Sequence, residues 1–243
     1  MPDVYASRAK VGVVLPSTNT ICEPDNATLA PAGVTNHTAR IAIANITIDG
    51  DAAFDRLIRM SVDALDEAVD RVMDAAPDVL LVGMSSLLVW DGFDVASERR
   101  AALAARTGVP VTGGSFAILE AARRLAVQRI AIVSPYQPVA DGHITRFFEG
   151  AGLSVTGFES LRCPAPRAIA EVEEETIVAA LDRLDGDGVQ ALVQFGTNLG
   201  FRARAAAEWR RRGKPVIAIN PVAYWHALRL VAIKDPVDGL PTL

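Results

Sequence analysis

Cysteine, histidine and aromatic side chains are scarce in this chain of 243 residues, with two cysteines, three histidines and 6% aromatics. Cys22 and Cys163 allow one disulfide at most, and their spacing matches no zinc pattern. A reducing compartment, the cytoplasm, is therefore expected. His37, His143 and His226 are widely separated, so no metal site is predicted. No stretch approaches the about 20 apolar residues of a membrane span. The opening Met-Pro-Asp-Val-Tyr has no charged region leading into a long apolar run, so no secretory leader is expected. Positive charge is short as well: the net charge is −5, and the basic run Arg210, Arg211, Arg212 near Lys214 reads as a solvated helix end. Nucleic acid and anionic membranes are thereby disfavoured as partners. The sequence also lacks Gly-x-Gly-x-x-Gly after its first apolar run and Gly-x-x-x-x-Gly-Lys-Ser/Thr anywhere, which removes dinucleotide and P-loop readings. Gly83-Met-Ser-Ser-Leu departs from Gly-x-Ser-x-Gly at its last position, so no α/β-hydrolase nucleophile elbow is supported. No cofactor is predicted.

What the chain does have is globular composition, half hydrophobic and 22% charged, with length for one large core or two small ones. Short apolar runs at Val11–Leu15, Val79–Val82, Val109–Val111, Ile130–Val133, Ala191–Val193 and Val216–Ile219 each lead into Gly, Pro, Ser, Thr or Asn. Between them, Ile58, Val62, Leu65, Val69 and Val72 place an apolar stripe on a helix. Phe116–Leu125, Glu171–Leu184 and Ala203–Arg212 read likewise, and Gly108 and Gly213 sit where C-caps are expected. This alternation predicts βαβ units with mostly parallel sheet.

Three segment pairs recur in the same order, offset by roughly 105 to 120 residues. Val11-Gly-Val-Val-Leu-Pro-Ser-Thr-Asn matches Ile130-Ala-Ile-Val-Ser-Pro-Tyr-Gln-Pro. Asp78-Val-Leu-Leu-Val-Gly-Met-Ser-Ser matches Gln190-Ala-Leu-Val-Gln-Phe-Gly-Thr-Asn, and Val109-Pro-Val-Thr-Gly-Gly matches Lys214-Pro-Val-Ile-Ala-Ile-Asn-Pro. The rival reading is that βα turns simply need the same residues. Taken as duplication, the pattern predicts an α/β fold of two pseudo-symmetric subdomains, each a mostly parallel sheet flanked by helices. The boundaries are 1–115 plus 220–243 for the N-terminal subdomain and 116–219 for the second. A site would lie in the cleft between them, at the strand C-terminal ends.

The loops after those strands carry the candidate chemistry. Ser17, Thr18 and Asn19 stand before an expected helix, where side-chain donors, backbone N–H groups and the helix dipole suit a carboxylate; plain N-capping explains the same residues. Met84, Ser85 and Ser86 in one half face Gly196, Thr197 and Asn198 in the other, and Tyr136 adds a phenol. Glu23 and Asp25 lie close enough to act as a base, although acids are ordinary in a helix's first turn. Cys163 lies in a loop expected to approach the cleft, and a merely packed thiol is the alternative. Cys22 is expected to face the core. Trp90 and Asp91 are candidates for a pocket wall and Arg167 for a second carboxylate, while His143 and His226 read as helix residues.

With these loops in view, the chain resembles the maleate isomerase and arylmalonate decarboxylase branch of the aspartate/glutamate racemase superfamily. The resemblance rests on Val14-Leu-Pro-Ser-Thr-Asn-Thr with Glu23, His37-Thr-Ala-Arg, Ser134-Pro-Tyr, Gly196-Thr-Asn-Leu, and Lys214-Pro-Val-Ile with Ala223-Tyr-Trp-His-Ala-Leu-Arg-Leu. It implies cofactor-free chemistry at a carbon beside a carboxylate, a small carboxylate as partner, and a homodimer. In such enzymes paired cysteines, one per half, move protons or attack the substrate, and the decarboxylases keep only the second. Thiols suit this because their pKa can be brought near neutrality. Carried onto this chain, those positions fall on Met84 and Gly196, neither of which transfers a proton. The expected function is thus a lyase or isomerase with a non-thiol proton-transfer group, for which Glu23, Tyr136 and Cys163 are the candidates. A hydrolase of a carboxylate-bearing amide or ester using activated water, and a non-catalytic carboxylate-binding protein, are the alternatives.

Overall fold

The repeat in the sequence becomes two copies of one sheet topology. In the computed structural model, which describes residues 3–243, β1 (Ala9–Pro16), β2 (Val34–Ile41), β3 (Val79–Val82) and β4 (Val111–Gly113) form a parallel sheet in the order β2-β1-β3-β4. A second parallel sheet repeats the order as β6-β5-β7-β8, from β5 (Arg129–Ser134), β6 (Ser154–Ser160), β7 (Ala191–Gln194) and β8 (Val216–Ala218). The first two residues, which belong to the N-terminal subdomain and leader readings above, lie outside the described residues.

Central strands are built from runs such as Val79-Leu-Leu-Val, buried on both faces beneath helices, which is why they read as unbroken apolar segments. β2 and β6 do not read as strands, because each is an edge strand with mostly half-buried residues and a mixed sequence. The run expected at Val109–Val111 shifts to Val111–Gly113: Pro110 has no N–H for a ladder, although its carbonyl still accepts from Leu80 N at 2.9 Å. The run expected at Val216–Ile219 ends at Ala218, and Ile219 opens a helix.

Eight α-helices connect and cover the strands among the described residues: α1 (Cys22–Leu29), α2 (Asp51–Met73), α3 (Phe93–Thr107), α4 (Gly114–Arg124), α5 (Val139–Gly150), α6 (Glu174–Leu184), α7 (Arg202–Arg212) and α8 (Ile219–Leu230). The stripe on α2 packs as expected, with Ile58, Leu65, Val69 and Val72 buried. Glu171–Leu184 divides into a short 3₁₀ turn, Arg167–Glu171, and α6. Gly108 and Gly213 end α3 and α7 in the left-handed conformation, their N–H groups closing onto Ala104 O and Trp209 O. α4 and α8 pack closely at their N-termini, where a Cβ on Gly114 would stand 2.3 Å from Ile219 Cγ1.

α8 buries His226 beside β4, with Nδ1 at 2.8 Å from Thr112 Oγ1. Burial lowers its pKa from 6.5 to about 4, so the ring is neutral in the fold. A histidine that resists protonation in the native state protonates first in the unfolded chain. Its stabilising contribution is therefore whole above pH 6.5 and is lost as pH falls towards about 4. The full loss is roughly 3 kcal/mol. Urea unfolding of the parent and of His226→Gln across that window is expected to show a steeper acid decline for the parent, and parallel curves would refute it.

Candidate active site

Four loops, after β1, β3, β5 and β7, meet between the sheets and are fastened across the junction. Asn19 Nδ2 donates to Thr197 Oγ1 (3.1 Å), which donates to Gly83 O (2.7 Å). Thr20 N donates to Asn198 Oδ1 (2.9 Å), while Asn198 Nδ2 reaches Pro166 O (2.9 Å). Ser85 Oγ and Tyr136 OH lie 3.0 Å apart, joining the two halves by hydroxyls. The loop before α2 and the loop before the 3₁₀ turn close the top, through Ile48 N to Pro164 O (2.7 Å) and Arg167 N to Asn45 Oδ1 (2.9 Å).

The cavity between these loops has two unlike kinds of lining, which meet where Phe54 packs on Tyr136. One is polar: Thr18, Asn19, Ser86, Tyr136, Thr197 and Asn198. The other is apolar, made by Ile43 and Ile48 from one closing loop, Phe54, Leu57 and Ile58 from α2, Met84, and Pro166 and Ile169 from the other closing loop. No carboxylate, imidazole, amine, guanidinium or thiol side chain lines it among the described residues, and the phenol of Tyr136 is its one titratable group there.

The same loops carry backbone N–H groups without acceptors. Ladder bonding ends at Gly83 N, on Val14 O, and at Phe195 N, on Val133 O. Beyond these, the N–H groups of Met84 and Ser85 in one loop and of Gly196 and Thr197 in the other find no acceptor among the described residues, although all four residues are buried. Of these four residues Met84 and Thr197 line the cavity, one from each half, which makes their N–H groups candidate donors to an anionic oxygen there. Gly196 holds its pair in place with φ +114°, a conformation suited to glycine.

Thr18, Asn19, Met84, Ser86, Tyr136, Thr197 and Asn198 are thus brought together as the sequence predicts. Asn19 satisfies both readings at once: its Oδ1 accepts Ile21 N (3.1 Å) and Cys22 N (2.9 Å) at the start of α1, while its amide nitrogen crosses to Thr197. Other expectations need correction. Ser17 is turned away and consumed by Ile43, donating to its carbonyl (2.8 Å) and accepting from its N–H (3.0 Å). Ser85 has no exposed surface and stands behind Tyr136. Gly196 contributes backbone and is not part of the cavity lining.

Glu23 does not line the cavity either. It pairs with Arg40 on the edge strand β2, and Arg40 also donates to Asn19 O (2.6 Å), so the pair braces the loop. Asp25 is occupied by Arg202 Nε (3.1 Å) and Asn220 Nδ2 (2.8 Å), and burial raises its pKa. Cys163 reaches the neighbourhood of Tyr136 but stays buried outside the lining, with its thiol pushed by burial up to about 11. Cys22 faces the core as expected, pushed to about 12 by burial first and by Asp25 second. Neither thiol is poised as a thiolate near neutral pH. Burial also raises the Tyr136 pKa, against hydrogen bonds with Ser85 and Ser86 that lower it, so the phenol keeps its proton.

Trp90 stands behind Phe54 (centroids 5.7 Å) and stacks on His143 (4.0 Å), and Asp91 pairs with Arg99; neither forms the wall. The Arg167 side chain likewise takes no part in the lining. Met84 is the one apolar lining residue the sequence singles out; Phe54 and Leu57 are not distinguished there, and Ile58 reads only as part of the α2 stripe. Their only signal is that α2 begins with more apolar residues than one stripe requires.

Fold and site together define a two-sheet α/β enzyme with a cleft between repeated halves that is part polar, part apolar and without charged side chains. The sequence profile of the arylmalonate decarboxylase family matches residues 11–243, and the chain belongs to that family. It is 29% identical over 230 residues to arylmalonate decarboxylase of Bordetella bronchiseptica, covering 93% of this chain and 91% of that protein. It is 25% identical over 246 residues to maleate isomerase of Pseudomonas putida, covering 96% of each. Among solved structures, a cysteine-to-serine variant of Nocardia farcinica maleate cis-trans isomerase with a covalently bound succinylcysteine intermediate superposes with TM-score 0.86 at 22% identity over 95% of each chain. These likenesses agree with the branch that the loop motifs resemble.

Proposed function

We propose that the cleft catalyses cofactor-independent loss of a carboxylate from a small malonate-type acid bearing an apolar substituent. The observation that carries this reading is a lining without charged side chains that joins hydroxyl and amide groups, with the acceptor-free N–H groups of Met84 and Thr197, to a large hydrocarbon surface. The retained carboxylate lies on the N–H groups with Ser86 and Tyr136, and the leaving carboxylate faces the apolar wall without a counter-charge. The bond from the α-carbon to the leaving carboxylate breaks, carbon dioxide departs, and the electron pair moves into the retained carboxylate as an enediolate. Preorganised donors stabilise that charge as it develops. The α-carbon then takes a proton from the Tyr136 hydroxyl, which solvent replenishes.

Three features favour this over the neighbouring chemistries. A thiol adduct such as the one named for the maleate isomerase relative needs a nucleophilic sulfur in the lining, and Met84 and Gly196 stand where the resemblance places those cysteines. A dicarboxylate isomerase would have to hold both carboxylates, whereas one wall here offers only hydrocarbon. Hydrolysis by a carboxylate-activated water would need Glu23 or Asp25 free, and they are committed to Arg40, Arg202 and Asn220.

The test is incubation with aryl- and alkylmalonates, maleate and simple amides in deuterated, oxygen-18-labelled water, with products read by mass spectrometry, for the parent and a Cys22→Ser, Cys163→Ser variant. Both proteins are expected to release carbon dioxide and place one deuterium on the α-carbon at rates within about threefold of each other, because neither thiol lines the cavity. Activity confined to the parent would assign the proton to Cys163. Oxygen-18 in a released acid would establish hydrolysis, and ligand binding without conversion would establish a carboxylate-binding protein.

A further inference from the structure

A second concavity shares no lining residue with the cleft. It is set among α3, α4, α8 and the turn after α5, with Phe93, Phe116 and Leu153 supplying apolar surface. Arg100, Glu120, Arg123 and His226 supply its polar groups.

The charges there are unbalanced. Arg123 and Arg124 both bind Glu120, at 2.8 Å each, and together hold its carboxyl at about 2. Glu120 is therefore fully used. Arg100 is half-buried, stands with its guanidinium carbon 4.4 Å from the Phe116 ring centroid, and has neither ion pair nor hydrogen bond among the described residues. Burial without a partner lowers its pKa. His226 shares the lining, and with Nδ1 engaged by Thr112 its Nε2 has no protein partner among the described residues. Glu120, Arg100 and Arg124 are the charged groups acting on that ring. Two guanidinium groups thus take up the one carboxylate, and the third, Arg100, is left without a counter-charge beside an aromatic floor.

A half-buried guanidinium is costly to leave unpaired, and its planar fork matches a carboxylate. Stacking over Phe116 leaves the N–H edges of that fork available. We propose that this concavity is a second binding site, for a small organic carboxylate whose acid group pairs with Arg100 and whose apolar body rests against Phe93, Phe116 and Leu153. It is independent of the cleft, where no cation lines the wall.

The test uses benzoate as probe, benzamide as its uncharged counterpart and sulfate as an anion without an apolar body. Protein labelled with nitrogen-15 in histidine reports His226 directly, with its signals assigned through His226→Gln. Benzoate is expected to shift the His226 resonances saturably and to raise the His226 pKa, because a nearby carboxylate favours the imidazolium. Benzamide and sulfate are expected to act at least about tenfold more weakly, in line with the loss of one charge-assisted contact or of the apolar contact. Arg100→Gln is expected to abolish the response while Tyr136→Phe leaves it intact, which separates this site from the cleft. The proposal fails if His226 does not respond to benzoate, if benzamide or sulfate matches benzoate, or if Arg100→Gln responds like the parent. The comparison of probes on the parent protein stands regardless of how well the variant folds.

Discussion

Tyr136→Phe is expected to lower kcat for decarboxylation by about 10²- to 10³-fold, corresponding to roughly 3–4 kcal/mol of lost transition-state stabilisation. The ring itself is structural: it packs on Phe54 (centroids 5.2 Å) and edge-on to Phe195 (6.3 Å), and phenylalanine preserves both contacts. The hydroxyl is what the substitution removes. It sits against Ser85 at 3.0 Å and is the most acidic O–H in the lining, although burial raises its pKa and keeps it protonated at neutral pH. Removing it withdraws a donor from the enediolate, deletes the proposed proton source, and leaves the Ser85 hydroxyl buried without this partner, at a cost of about 1–3 kcal/mol to the fold. Activity should consequently fall far more than stability. Because burial raises the Tyr136 pKa, a parent enzyme that uses the neutral phenol should hold its kcat up to and beyond pH 10, the ordinary phenol value. Steady-state kinetics and thermal melts of the variant decide the matter. A kcat within twofold of the parent would remove Tyr136 from the chemistry, and a collapse in melting temperature with unchanged kcat would make it purely structural.

How much of this site is visible in the sequence depends on how local each cause is. A buried parallel strand announces itself, since Val79-Leu-Leu-Val must be apolar on both faces, and the polar loop after it follows from the requirement to turn. The polar wall was therefore legible, and so was the repeat that brings two such walls together. Edge strands obey weaker rules. β2 passed unread, and with it the reason Glu23 is not a base: its partner Arg40 belongs to that strand. Ser85 and Ser86 are adjacent and chemically identical, yet one stands behind Tyr136 and the other lines the cavity. That choice is made by backbone direction at the end of β3, which composition does not record. The apolar wall was hidden for a different reason. A buried leucine on α2 looks the same whether a helix or an empty cleft lies opposite, and what lies opposite is fixed by the second half of the chain, far away in sequence.

Gly196→Ala is expected to damage both stability and turnover, and to do so through a single contact. The residue has φ +114°, where a side chain strains the backbone, and a Cβ there would lie 2.6 Å from Pro135 Cδ and 2.7 Å from its Cγ. A proline ring cannot swing aside as a flexible side chain can. Backbone strain of about 1–3 kcal/mol and overpacking of similar size together give a loss of roughly 3 kcal/mol. The relief that remains is for the two loops to part, and they are the loops that carry the Gly196 and Thr197 N–H groups and Tyr136. Donors displaced by even about 1 Å lose most of their effect on a developing charge, so kcat should fall by about 10²-fold alongside the melting temperature. Gly196→Cys carries the same Cβ and should fail similarly, whereas Met84→Cys, at a lining position whose residue already carries a Cβ, should fold. A Gly196→Ala, Pro135→Ala double variant separates the causes: recovery of part of both losses assigns them to the ring contact, while additivity of the two single effects leaves φ strain alone. An alanine variant that melts and turns over like the parent would show that the Gly196 loop shifts freely, and would take with it the claim that its N–H groups are held in place for an anion.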